Sequence, residues 1–159
     1  MKKVVIRGPL VNASGYGIHS RQIYSYVESK GCDITAQITP WGICPYLLNE
    51  DYEDGLIGRI LNKGKPVESK QDISFQVQLP NEWDSDAAEF NIGVTAGVES
   101  DKCNQQWIDC INKMDLVIVP SEHTKQTFIN SGKVSTYIVV IPEYVQPGIL
   151  NSDLPAMEL

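Results

Sequence analysis

No stretch of this sequence offers about 18 consecutive apolar residues, so no bilayer-spanning helix is expected. After Lys2-Lys3 the apolar run Val4-Val5-Ile6 stops at Arg7-Gly8-Pro9, which is too short for a signal peptide and reads as a first strand. Basic runs are missing too. The 13 Lys and Arg residues are scattered, with no run longer than Lys2-Lys3, against 20 Asp and Glu. The resulting net charge of −7 weighs against a nucleic-acid partner, and none is expected, because phosphate binding needs clustered cations. His19 and His123 are the only histidines, too few and too isolated for a metal site, so no metal or cofactor is expected. Cys32, Cys44, Cys103 and Cys110 contain no C-x-x-C pair. They read as small core hydrophobes, with Cys103 and Cys110 on one face of a helix, and reduced thiols point to a cytoplasmic protein. Internal repeats and low-complexity segments are absent. What remains is a 159-residue chain, 42% apolar and 21% charged, of a length and composition that build one soluble domain with a core needing no staple.

Short apolar strands alternate with helical patterns, which predicts an α/β fold: a Rossmann-like three-layer sandwich with a mostly parallel sheet. The first strand spans Lys3 to Gly8. A helix follows the loop from Pro9 to Gly17 and runs to about Lys30, with Tyr16, Ser20, Ile23 and Val27 inward and Gly31 as its stop. Asp33 to Ile38 is a second strand, ended by Thr39-Pro40-Trp41-Gly42. Residues 46–64 suggest one or two short helices. Ile73 to Gln78 alternates apolar and polar, as a strand near a sheet edge does. Further strands are expected at Asn91–Thr95, Leu116–Val119 and Tyr137–Ile141. A helical stripe of Cys103, Trp107, Cys110, Ile111 and Met114 separates the first two of these. A helix capped by Ser121 and closed by Gly132 separates the last two. Residues 1–145 form the domain, and 146–159 read as a linker or tail.

In such a sheet, ligands bind beyond the carboxyl ends of the strands. That rule selects the loops Gly8–Gly17, Thr39–Tyr46, Leu79–Asp84, Thr95–Asp101, Pro120–His123 and Pro142–Val145. In the first, Ser14-Gly15-Tyr16-Gly17 brings backbone N–H groups to a helix start, where an anion or sugar hydroxyl is bound, or makes only a tight turn. Ser20 stands at the third glycine of a G-x-G-x-x-G fingerprint, so a dinucleotide is not expected. Glu99 after the fourth strand is placed to accept hydrogen bonds from a hydroxylated substrate, whereas Asp101 fits a loop charge or helix cap. His19 and His123, each in a first helical turn on the ligand edge, are candidates to bind a sugar hydroxyl or phosphate.

The stretch from Asp115 to Lys125, with Val119-Pro120-Ser121-Glu122 at its centre, resembles a hallmark of the retaining, GT-B-fold glycosyltransferases of the family 4 type. Ile141-Pro142-Glu143-Tyr144-Val145 resembles that family's turn after the following strand, with Tyr144 in place of the usual Gly. Gly15-Tyr16-Gly17 resembles its glycine turn, and Thr95 through Trp107, with Glu99, its Thr…Glu…Trp stretch. The resemblance implies the amino-terminal, acceptor-side half of an enzyme that moves a sugar from a nucleotide-sugar donor to an acceptor hydroxyl, with no metal required. The donor-binding half is a second α/β domain that residues 146–159 cannot supply, so this chain alone is expected to be inactive. The site residues so implied are Gly15, Tyr16, Gly17, His19, Glu99, Ser121, His123 and Glu143, with a sugar or glycoconjugate acceptor as partner and no general base assigned. The alternative is a stand-alone, non-catalytic Rossmann-like ligand-binding or interaction module.

Overall fold

A computed structural model describes residues 1–67 and 69–145. The expected linker or tail, 146–159, lies outside the described residues. Six strands are present among the described residues: β1 (Lys3–Gly8), β2 (Asp33–Ile38), β3 (Gln71–Val77), β4 (Ala88–Val94), β5 (Leu116–Val119) and β6 (Tyr137–Val140). They form one all-parallel sheet in the order β2-β1-β3-β4-β5-β6, flanked by helices on both faces, so the fold is the Rossmann-like sandwich expected. No helix of the described residues is long and apolar enough to cross a membrane.

Helices α1 (Gly15–Ser29) and α2 (Tyr52–Asn62) pack on one face, where Tyr24, Val27, Leu56, Ile57 and Ile60 meet Val4, Ile6, Ile34 and Ala36. Helices α3 (Gln105–Ile111) and α4 (Glu122–Ser131) pack on the other, where Trp107, Ile108, Ile111 and Phe128 meet Val117, Val119 and Ile138. Handedness places α1 opposite α3 and α4, while α2, whose crossover from β2 to β3 travels the same way as theirs, packs beside α1 through Tyr24, Val27 and the Arg21–Glu53 pair. Right-handed crossovers that travel one way along a sheet lie on one face, and those that travel the other way lie on the opposite face. The direction reverses between β1 and β3, which makes that junction the topological switch point.

The sequence expectation for β3 is corrected: it is a central strand, paired with β1 on one side and β4 on the other. Its polar alternation faces a buried polar seam, not water. Ser74 Oγ bonds Asn91 Oδ1 at 2.8 Å, and Gln76 Nε2 donates to Ser74 Oγ and to the Asp84 carbonyl. Gln76 Oε1 accepts from the Asp84 N–H at 2.7 Å. These bonds fasten the helix-poor crossover 78–87 across that face, with only the short 3-10 turn Pro80–Glu82 inside it. Trp83 of the crossover lies flat on Gly93, where an added Cβ would fall 2.7 Å from the indole. α3 is also shorter than its apolar stripe suggests. Cys103 and Met114 lie outside it, so Cys103 and Cys110 do not share a helical face, and its cap is Asn104 and not the exposed Asp101. All four cysteines are free and half-buried.

Two features of the α1 face were invisible to pattern reading. Arg21 is buried at 3% exposure, and Tyr24 is wholly buried. Burial pushes the Tyr24 phenol up to about 12 by penalising its charged form. An unfolded tyrosine titrates near 10, so the folded chain holds the proton more tightly. The stabilisation from Tyr24 is therefore complete below pH 10 and is lost as pH rises through about 12, roughly 2–3 kcal/mol in all. Denaturant melts between pH 10 and 12 should show a slope that Tyr24→Phe flattens; an unchanged slope would refute the assignment.

Candidate functional site

The loop between β1 and α1 is held from three directions before it can present any group. Arg21 reaches under it and donates through Nη1 to the carbonyls of Leu10 and Asn12, at 3.2 and 2.9 Å, while its Nε bonds the Glu53 carboxylate at 2.9 Å. Asn12 is fully buried and its Oδ1 accepts from the Ser14 N–H at 2.8 Å. The segment after β2 zips alongside, with Ala13 N–H donating to Pro45 O and Leu47 N–H to Val11 O. Ser14 then caps α1, its Oγ accepting from the Gly17 N–H at 3.1 Å. Gly17 is required by close approach: a Cβ there would overlap the Asn12 carbonyl group and sit 3.0 Å from the Pro9 oxygen.

At the carboxyl end of the sheet these pieces enclose a cavity of about 230 Å³ lined by Ser14, Gly15, Tyr16, His19, Trp41, Thr95 and Glu143, among others. Tyr16 is its organising side chain. The ring stacks on Trp41 with centroids 4.3 Å apart. Its hydroxyl shares a hydrogen bond with Thr95 Oγ1 at 3.0 Å and accepts from the Ala96 N–H at 3.0 Å. Burial raises the Tyr16 pKa above its usual value against the opposing pull of those two bonds, so the phenol is neutral at ordinary pH. His19 Nδ1 lies 2.9 Å from Glu143 Oε1, with the imidazole largely buried and the carboxylate half exposed. Nδ1–H donates to the carboxylate, which fixes the ring orientation and leaves Nε2 as the nitrogen free to meet a ligand.

Of the residues expected from the sequence, the structure brings Gly15, Tyr16, His19 and Glu143 into one cavity, with Gly17 packed beneath. Glu99, Ser121 and His123 do not line it. Glu99 sits in an exposed bend of the β4–α3 loop, which Thr124 and Thr127 tie to α4 through the carbonyls of Ala96 and Ser100. Ser121 acts as the α4 cap, its Oγ accepting from the Thr124 N–H at 3.2 Å, and His123 is exposed in the first turn. Trp41 and Thr95 were not among the expected site residues, although their loops were selected and Thr95 opens the Thr…Glu…Trp stretch. Position is the signal they share: Thr95 directly follows β4 and Trp41 lies three residues beyond the end of β2, both at the ligand edge. Among the described residues, no group of three or more His, Cys, Asp or Glu side chains is arranged to hold a metal ion.

Comparison with known proteins adds no relative: the chain matches no family model, no curated protein and no solved structure.

Proposed function

We propose that this domain is the acceptor-side half of a glycosyltransferase that moves a sugar from a nucleotide-sugar donor to an acceptor hydroxyl. One observation carries the reading. The glycine turn and the Ile141–Val145 turn, the two ends of the sequence resemblance, meet in a single cavity at the switch point through the His19–Glu143 contact. That cavity has the furniture of a carbohydrate site: an aromatic pair, hydroxyls of Ser14 and Thr95, and an imidazole held by a carboxylate. His19 Nε2 and Glu143 recognise the acceptor hydroxyl. The Ser14–Gly17 turn lies toward the donor phosphates, where a helix start favours negative charge. The donor's nucleotide is bound by a facing second domain. A volume of about 230 Å³ fits one sugar ring and not a whole nucleotide sugar, which needs a pocket of at least roughly 300–1,000 Å³.

The purified 159-residue chain should show no sugar transfer and no tight binding of UDP- or GDP-sugars by calorimetry. Saturation-transfer NMR against a panel of glycans should find weak acceptor ligands that His19→Ala abolishes. Robust transfer by the chain alone would overturn the half-enzyme reading. Tight binding of a ligand without transfer would favour a stand-alone binding module instead.

A further inference from the structure

A second cavity continues from the first. It is an apolar trough of about 450 Å³ between α1 and the segment that follows β6, with Ile23, Phe75, Ile118, Ile141 and Pro142 in its lining. His19 and Glu143 line both this trough and the sugar-sized cavity, so the two spaces meet at their contact. One face of α1 runs past both. Tyr16 and His19 line the first cavity. His19, Gln22, Ile23 and Tyr26 line the trough, at the three- and four-residue steps that keep side chains on one side of a helix. From His19 to Tyr26 the helix rises about 10 Å, the length of an extended chain of roughly eight carbons joined by bonds of about 1.5 Å.

The two spaces differ in what they offer a ligand. The first keeps His19 Nε2 open and carries the hydroxyls of Ser14 and Thr95. In the trough the polar groups are spent on one another. His19 Nδ1–H donates to Glu143, and Gln22 Nε2 donates to the Tyr144 carbonyl at 2.8 Å. This clasp draws the segment after β6 across to α1 and leaves mainly aliphatic and aromatic carbon facing the space. Phe75 and Ile118 are only half-buried there, whereas Val77 and Val94 on neighbouring strands are closed from water. A hydroxyl-rich ligand would give up its water in this trough and find few partners, while an apolar one gains by burial.

We propose that the acceptor is an amphiphile, with a hydroxylated head in the sugar-sized cavity and an apolar aglycone in the trough. The assignment rests on the sugar-transfer reading for the head and adds the tail. A ligand at the junction touches His19 and Glu143, the same two side chains assigned to the acceptor hydroxyl. The tail therefore belongs to the molecule whose head they bind.

Methyl, butyl, hexyl and octyl glycosides of glucose, galactose and mannose test this in amide-shift NMR titrations. The full 159-residue chain is used, with each glycoside kept too dilute to form micelles. In the series whose head binds, affinity should rise about two- to four-fold for each added methylene, up to octyl. Ile141→Asp should flatten that slope, and at 52% exposure the position spares the fold. His19→Ala should weaken every member and leave the slope standing. A methyl glycoside that binds through His19 with no gain on lengthening would overturn the amphiphile and leave the sugar cavity intact. A slope that Ile141→Asp leaves unchanged would put the tail outside the trough and overturn the proposal. Equal binding of octyl glycosides and octanol, both weakened by Ile141→Asp, would mean that no head is read, which overturns the sugar-cavity reading and the joined site with it. Binding of no member would overturn both.

Discussion

Arg21→Met should lower the melting temperature by roughly 10 °C, corresponding to about 3 kcal/mol for a domain of this size. The guanidinium is 3% exposed and carries three jobs at once. It pairs with Glu53, and it satisfies the carbonyls of Leu10 and Asn12 from below. Methionine keeps the volume and removes every donor, so two inward-facing carbonyls lose their partner. Deleting one member of a buried pair costs about 3–5 kcal/mol, and the lower end applies here because the Glu53 side chain keeps 27% of its surface and is partly resolvated. Arg21→Lys should recover less than half of the loss, since a single ammonium cannot span a carboxylate and two carbonyls in the geometry of the planar fork. A melting point for Arg21→Met within a degree or two of the parent would show that the loop holds itself.

Gly17→Ala is the second large effect, and Gly15→Ala is its control. At Gly17 the new methyl would overlap backbone atoms of Asn12 and press on the Pro9 carbonyl, and neither is a side-chain end that can swing away. The loop must shift outward at a cost of about 2–3 kcal/mol, and the shift displaces Ser14 and the cavity rim. At Gly15 nothing lies within 4 Å of the added Cβ. Replacement there should be neutral or gain up to about 1 kcal/mol from reduced backbone freedom. Chemical denaturation of both variants, with amide shifts of Tyr16 and Ala96 as reporters of the rim, checks the pair. Equal stability of the two would mean that the contact at Gly17 is relieved without cost.

Much of this architecture was legible because local and tertiary preferences agree. Gly31, with its positive φ, stops α1 where the pattern said, and Ser121 caps α4 through a bond that its spacing to Thr124 predicts. The misplacement of β3 has a physical reason. A strand whose polar side chains bond to a buried crossover has the same two-residue period as one whose polar side chains face water, and sequence alone does not separate them. Arg21 is a similar case: on a helix otherwise polar outside, nothing marks the one cation that points in. At the site, Gly15, Tyr16, His19 and Glu143 were each recognisable, but the hydrogen bond that unites His19 with Glu143 is a product of topology. Trp41 was missed because it belongs to no motif, and Thr95 was named only as the start of the Thr…Glu…Trp stretch and not as a site residue. Stacking on Tyr16 and bonding its hydroxyl become visible only when three loops are brought together.

The clasp between α1 and the segment after β6 also bears on how the chain acquires its cavity in time. The Gln22–Tyr144 hydrogen bond joins positions 122 residues apart, nearly the full length of the described domain. Every strand pairing is parallel and needs a crossover before it can form, so contacts of this separation are among the slowest to be gained. During synthesis the glycine turn and the Tyr16–Trp41 stack can assemble long before Glu143 exists. The pocket then stands open on one side until almost the last described residue has been made. A ligand offered early would meet a half-walled groove, so ligand binding should appear in refolding only with the slowest phase.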